Sequence, residues 1–149
     1  MAAKTTLPRD SEARKAIPLY RGVLRYFPAA MRAAAEVSKV GNDKHNPGEE
    51  MHHARGKSMD HADCILRHLV DLDEDFGCGV GYDEQGMPQV GYIVWRAMAL
   101  AQEWMEKQGV PLAPAAKLPS FFDGGTEITE QDARYAHEFV RAPKVTTNG

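Results

Sequence analysis

The sequence predicts an all-α protein, and three observations predict the class. Apolar residues recur at helical spacing in three long stretches, the segments between them concentrate Gly, Pro and charge, and no stretch alternates as a half-buried strand does. The 149 residues suit one domain, and 43% hydrophobic with 26% charged residues is the balance of a soluble globular chain.

The elements follow in order. Residues 1–10 read as a loose arm. Ser11 is the expected cap of a short helix over 11–17, ended by Pro18, and 19–27 is an amphipathic short helix or extended connector. Pro28 suits the first position of a helix, and the alanine-rich run 29–40 predicts one that stops at Gly41. The segment 41–57, GNDKHNPGEEMHHARGK, packs turn residues, charge and histidine together and reads as a loop. Ser58 is the expected cap of a helix over 58–71, with Met59, Ala62, Ile65, Leu66, Leu69 and Val70 on one side and Asp60, Asp63, Cys64, Arg67 and Asp71 on the other. Residues 72–88 form an acidic, Gly-rich loop. Gln89–Lys107 is a helix, apolar nearly all round and therefore expected to be buried. A Pro- and Gly-rich linker over 109–125 leads to a last helix over 130–140, capped by Thr129, and to a flexible tail. The organisation expected is an N-terminal arm and short helix (1–25), a catalytic helical core (26–107), and a C-terminal linker, short helix and tail (108–149).

Composition narrows function. The net charge of −3, from 18 basic and 21 acidic side chains, argues against a general nucleic-acid binder. The longest apolar run is too short and too charged for a bilayer, and the N-terminus has no apolar export signal, so no membrane partner is expected. Cys64 and Cys78 form no Cys-x-x-Cys pair and read as reduced thiols in a cytoplasmic protein.

The most informative chemistry is Asp60-x-x-Asp63, a spacing that puts two carboxylates on one helical face. Such a pair about 4 Å apart repels by about 4 kcal/mol near a protein surface, and a hard cation such as Mg²⁺ or Mn²⁺ relieves it. Arg67, one turn on, suits phosphate. Glu36, if the helices of 29–40 and 58–71 pack antiparallel, faces the aspartates. Asp43 returns to the same face if the earlier helix continues through Gly41. Taken alone, the pair is more often a solvated helix face.

The words KHNPG, ARGKS and DHADCILRHL, with the later WRAMALAQE, resemble the phage-encoded relatives of the MazG all-α nucleotide pyrophosphohydrolases, in particular the dATP/dGTP diphosphohydrolase branch of MazZ type. The resemblance covers 26–106. It implies an oligomeric helical bundle, a dimer or a dimer of dimers. It also implies conversion of a purine (deoxy)nucleoside triphosphate, dGTP or GTP in the nearest type, to monophosphate and pyrophosphate on Mg²⁺ or Mn²⁺. In a phage the product dGMP would serve 2-aminoadenine DNA synthesis, in the host cytoplasm. Residue by residue, Glu36, Asp60 and Asp63 take the catalytic and metal-binding places. Ala33 and Lys39 stand where the family's first motif has acids. Lys44 and Arg67 are assigned to phosphates and Asn46 to base or sugar; Lys57 and His68 complete the substrate-binding set, His68 either orienting a phosphate or pairing with Asp71. Relatives carry histidines near the start of the last core helix, where this chain has Gln89 and Tyr92.

Other readings compete. A non-catalytic helical interaction protein needs only a solvated acidic face. An HD-type phosphohydrolase needs a His-Asp doublet, and the chain has only Asp60-His61. A zinc site from His52, His61, Cys64 and Cys78 has no paired ligand spacing behind it.

Overall fold

The computed structural model describes residues 5–75 and 79–118, and its architecture is helical. Helix α1 is Ser11–Lys15, a single π-helical turn follows at Tyr20–Leu24, and α2 is Pro28–His45. The two-residue strand β1, His53–Ala54, precedes α3, His61–Leu72, and α4, Gln89–Lys107. Strand β2 is Ala116–Lys117 and pairs with β1 in parallel, His53 opposite Ala116 and Ala54 opposite Lys117. The expected helix over 130–140, the tail and Cys78 lie outside the described residues.

Helix α4 is the centre of the packing. It lies against α2 on one side and α3 on the other, while α2 and α3 share no interface of comparable extent. The α2–α4 approach is close at Gly91, where an added Cβ would stand 2.9 Å from the Ala33 carbonyl oxygen and 2.9 Å from Val37 Cγ1. Among the described residues, Ala34, Val37, Cys64 and Ala99 are the buried apolar ones, all small or medium-sized.

The expected boundaries move in four places. Asp10, not Ser11, caps α1, its carboxylate accepting the Ala13 N–H at 2.9 Å. Helix α2 does not stop at Gly41 but continues for four more residues, because Gly41 sits in ordinary helical backbone and Asn46 N–H closes the last turn on Asn42. Helix α3 begins at His61 rather than Ser58, with Asp60 as the flanking residue whose carbonyl accepts from Cys64 N–H. The linker after α4 is not strand-free, since residues 116–117 fold back onto 53–54.

The orientation of α3 also differs from the expected one. His61 and Cys64 are its buried residues, while Leu66, Leu69 and Val70, assigned to the core from periodicity, are exposed. Polar partners on α4 turn the helix this way: His61 meets Glu103 and Arg96, and His68 meets Gln89. None of the described helices is long and apolar enough to cross a membrane.

Candidate functional site

Two regions carry the chemistry, one on the outer face of α3 and one enclosed between the 46–60 connection and α4.

On the outer face, Asp60 and Arg67 form a pair, with the Arg67 guanidinium donating to Asp60 Oδ2 at 2.7 Å and to Cys64 Sγ at 2.8 Å. That hydrogen bond holds the Asp60 carboxyl below its usual range. Asp63 has no hydrogen-bond or ion-pair partner for its carboxylate among the described residues. It lies in an open hollow of about 450 Å³ with Leu66, Arg67, Val70 and Asp71. A volume of this order accommodates a small ligand.

Glu36 is not part of this hollow. It accepts from Arg32 at 2.8 Å on α2, and Asp43, on the continued helix, pairs with Lys39. The three expected metal ligands Glu36, Asp60 and Asp63 therefore do not converge within one chain. The cluster among the described residues that does bring three ligand atoms together is a different one. Of the expected phosphate groups, Arg67 borders the hollow, while Lys44 and Lys57 are exposed elsewhere, at the end of α2 and after β1. Asn46 is engaged within the protein: its amide donates to Asn42 Oδ1, and Asn42, buried, also bonds the Glu49 carbonyl and the His52 N–H. Asn42 thus folds the connection after α2.

His68 is held between helices. Its Nδ1 donates to Gln89 Oε1 at 2.7 Å, and its ring stacks on Tyr92 at 4.8 Å and 10°. Tyr92 donates in turn to Asp83 Oδ2 at 2.5 Å. Burial and then the Asp83 contact push the Tyr92 hydroxyl up to about 12. Gln89 and Tyr92 are thus the residues that fix the His68 ring.

The enclosed region is built on Arg55. Its side chain and that of Glu106 are each only 2% exposed and meet through two bonds, Nε to Oε2 at 2.7 Å and Nη2 to Oε1 at 2.8 Å. Glu106 also accepts from Gln102 and from the Ala113 N–H, so one carboxylate ties α4 to β1 and to the returning linker. Burial alone would raise the Glu106 carboxyl, but the bonds from Arg55, Gln102 and Ala113 hold it below its usual value.

Beside this pair, His61 Nε2 donates to Glu103 Oε1 at 3.2 Å and His53 Nε2 stands 3.9 Å from the same oxygen. Arg55 donates to His53 Nδ1 at 2.5 Å and Arg96 to His61 Nδ1 at 3.3 Å, which assigns the proton of each neutral ring to Nε2. Burial first, then the Arg55 charge, lowers the His53 ring to about 4. Trp95 closes one side, edge-on to both rings, and carries the Arg96 guanidinium 5.4 Å above its own ring. The sequence contains no signal for this cluster beyond the histidines themselves: its members come from β1, the first turn of α3 and the last part of α4. Comparison with models of protein families, with curated proteins and with solved structures gives no match to this chain.

Proposed function

We propose that the chain is a nucleoside triphosphate pyrophosphohydrolase of MazG-like, oligomeric type, acting on dGTP or GTP with Mg²⁺ or Mn²⁺. The observation that supports this reading is the outer face of α3, where the unpartnered Asp63 carboxylate shares a hollow with Arg67 and exposed Leu66 and Val70. A carboxylate without a protein partner is available for a hydrated cation, and a guanidinium beside it suits a phosphate oxygen. Leu66 and Val70 offer apolar surface to a base or to a neighbouring subunit. Glu36 lies on a helix that has no substantial interface with α3, so a single chain does not bring the expected acid set together. In this reading a second copy completes the site.

The resemblance of KHNPG and DHADCILRHL supplies the choice of reaction and of a purine triphosphate. The exposed apolar residues of α3 equally favour a helical interaction protein without catalysis, and one assay separates the two. Pyrophosphate release is measured from eight nucleotides, ribo and deoxy, with Mg²⁺ or Mn²⁺. Purine-selective release of pyrophosphate is expected, and Asp63→Asn is expected to abolish it with helix content unchanged. Absence of pyrophosphate from every nucleotide, or full turnover by Asp63→Asn, overturns the enzyme reading.

A further inference from the structure

We propose that His53, His61 and Glu103 form a binding site for a borderline divalent cation such as Zn²⁺ or Co²⁺, distinct from the α3 face. The three side chains come from three separate segments, yet one ligand atom from each lies within 4.8 Å of the other two. Two donors on one tetrahedral ion with bonds of roughly 2.1 Å stand about 3.4 Å apart. The observed separations from Glu103 Oε1, 3.2 Å to His61 Nε2 and 3.9 Å to His53 Nε2, bracket that spacing. Two imidazoles and one carboxylate select Zn²⁺ or Co²⁺ over Mg²⁺ or Ca²⁺, which prefer oxygen alone. Three protein ligands leave a fourth position for water, and the His53 side chain, 25% exposed against 3% for His61, marks the solvent side.

The surroundings set the strength of the site. A bound ion takes the place of the two Nε2 protons, each ring then carries its proton on Nδ1, and the contacts from Arg55 and Arg96 to Nδ1 open. No proton is gained or lost overall. Arg55 keeps both bonds to Glu106, and Arg96 keeps its position over Trp95. The Arg96 Nε is already buried without a hydrogen-bond partner, and losing the His61 contact adds to that cost. The usual outer partner of a ligating histidine is an acceptor for the free ring N–H, and here guanidinium donors stand in that place. The site therefore binds more weakly than one with conventional partners, and replacing a donor by an acceptor strengthens it.

The test uses the full chain, treated with chelator and titrated with Co²⁺ under visible absorption, followed by displacement with Zn²⁺. One tetrahedral-type Co²⁺ per chain, displaced by Zn²⁺, is expected. His53→Gln and Glu103→Gln should each weaken binding at least tenfold. Both leave the buried His61 in place, and circular dichroism checks that each variant is folded. Arg96→Gln, which removes the guanidinium donor facing His61 Nδ1, should tighten binding about tenfold. Absence of saturable Co²⁺ binding, or the same affinity in folded His53→Gln and Glu103→Gln as in the parent, overturns the proposal. The readout is spectroscopic and does not depend on nucleotide turnover.

Discussion

Glu106 shows how much one carboxylate can organise. It receives Arg55 twice, Gln102 and the Ala113 N–H, and neither it nor Arg55 is solvated. Replacing it with Gln removes the carboxylate charge that Arg55 meets in a buried pair, a change that costs about 3–5 kcal/mol in such settings. Glu106→Gln should therefore lower the urea midpoint of unfolding at neutral pH. The pH dependence has a definite sign. A carboxyl whose folded value lies below its ordinary 4.5 adds stability above that value and loses it as pH falls through 4.5 toward the folded value. Acid destabilisation of the parent across that window should be shallower in Glu106→Gln; parallel curves for the two would remove Glu106 from this role. Part of the residue-level picture was legible in the sequence. The proximity of Arg67 to Asp60 follows from helical spacing, and Asp63 is the acid of the pair with no partner among the described residues. The enclosed cluster was not legible, because nothing local distinguishes His53 from its neighbour His52. A two-residue strand pairing decides which of them meets Glu103.

At the scale of elements, two glycines separate propensity from packing. Gly41 lies within α2, where an added Cβ meets nothing within 4 Å, and Gly91 lies where α4 touches α2. Gly41→Ala should stabilise the protein by about 0.5–1 kcal/mol, through helix propensity and the entropy of the unfolded chain. Gly91→Val should destabilise it by about 1–3 kcal/mol through overpacking, whatever helix propensity it gains. Thermal melts of the two variants should move in opposite directions, and a rise for Gly91→Val would mean that the helices separate without cost. The extent of α4 was predicted to the residue, because its pattern is continuous and Pro88 precedes it. The ends of α2 and α3 were not, because Gly41 was read as a stop although a glycine can also continue a helix. The facing of α3 was misread for a related reason: apolar periodicity says which side is greasy, while the polar contacts of His61 and His68 with α4 decided which side is buried.

At the scale of the whole molecule, the described residues contain no fully buried large side chain, while Leu66, Val90, Met98, Leu100, Trp104 and Met105 are among the exposed apolar ones. Helix α4 has more apolar surface than α2 and α3 cover between them. In the oligomeric reading proposed above, a second copy covers this surface with its own by symmetry. Light scattering should therefore give a mass of at least two chains at micromolar concentration, and Leu66→Glu with Trp104→Glu should shift it toward one chain. A parent mass of one chain, independent of concentration, would count against self-association. The all-α class was legible because three long periodic segments dominate the sequence. The expectation that the last of them is buried was not met, since Val90, Met98, Leu100, Trp104 and Met105 of α4 are exposed and only Gln89, Gly91, Ala99 and Glu106 are buried.

The parallel pairing of β1 with β2 has a consequence for the order in which the protein assembles. His53 N–H bonds the Ala115 carbonyl and Arg55 N–H bonds the Lys117 carbonyl, across a stretch of chain that contains both α3 and α4. Closing so long a loop has an entropic cost that two hydrogen bonds do not offset on their own. By this cost the pairing is expected to form after both helices have docked, with the helices as the scaffold on which the enclosed cluster is completed.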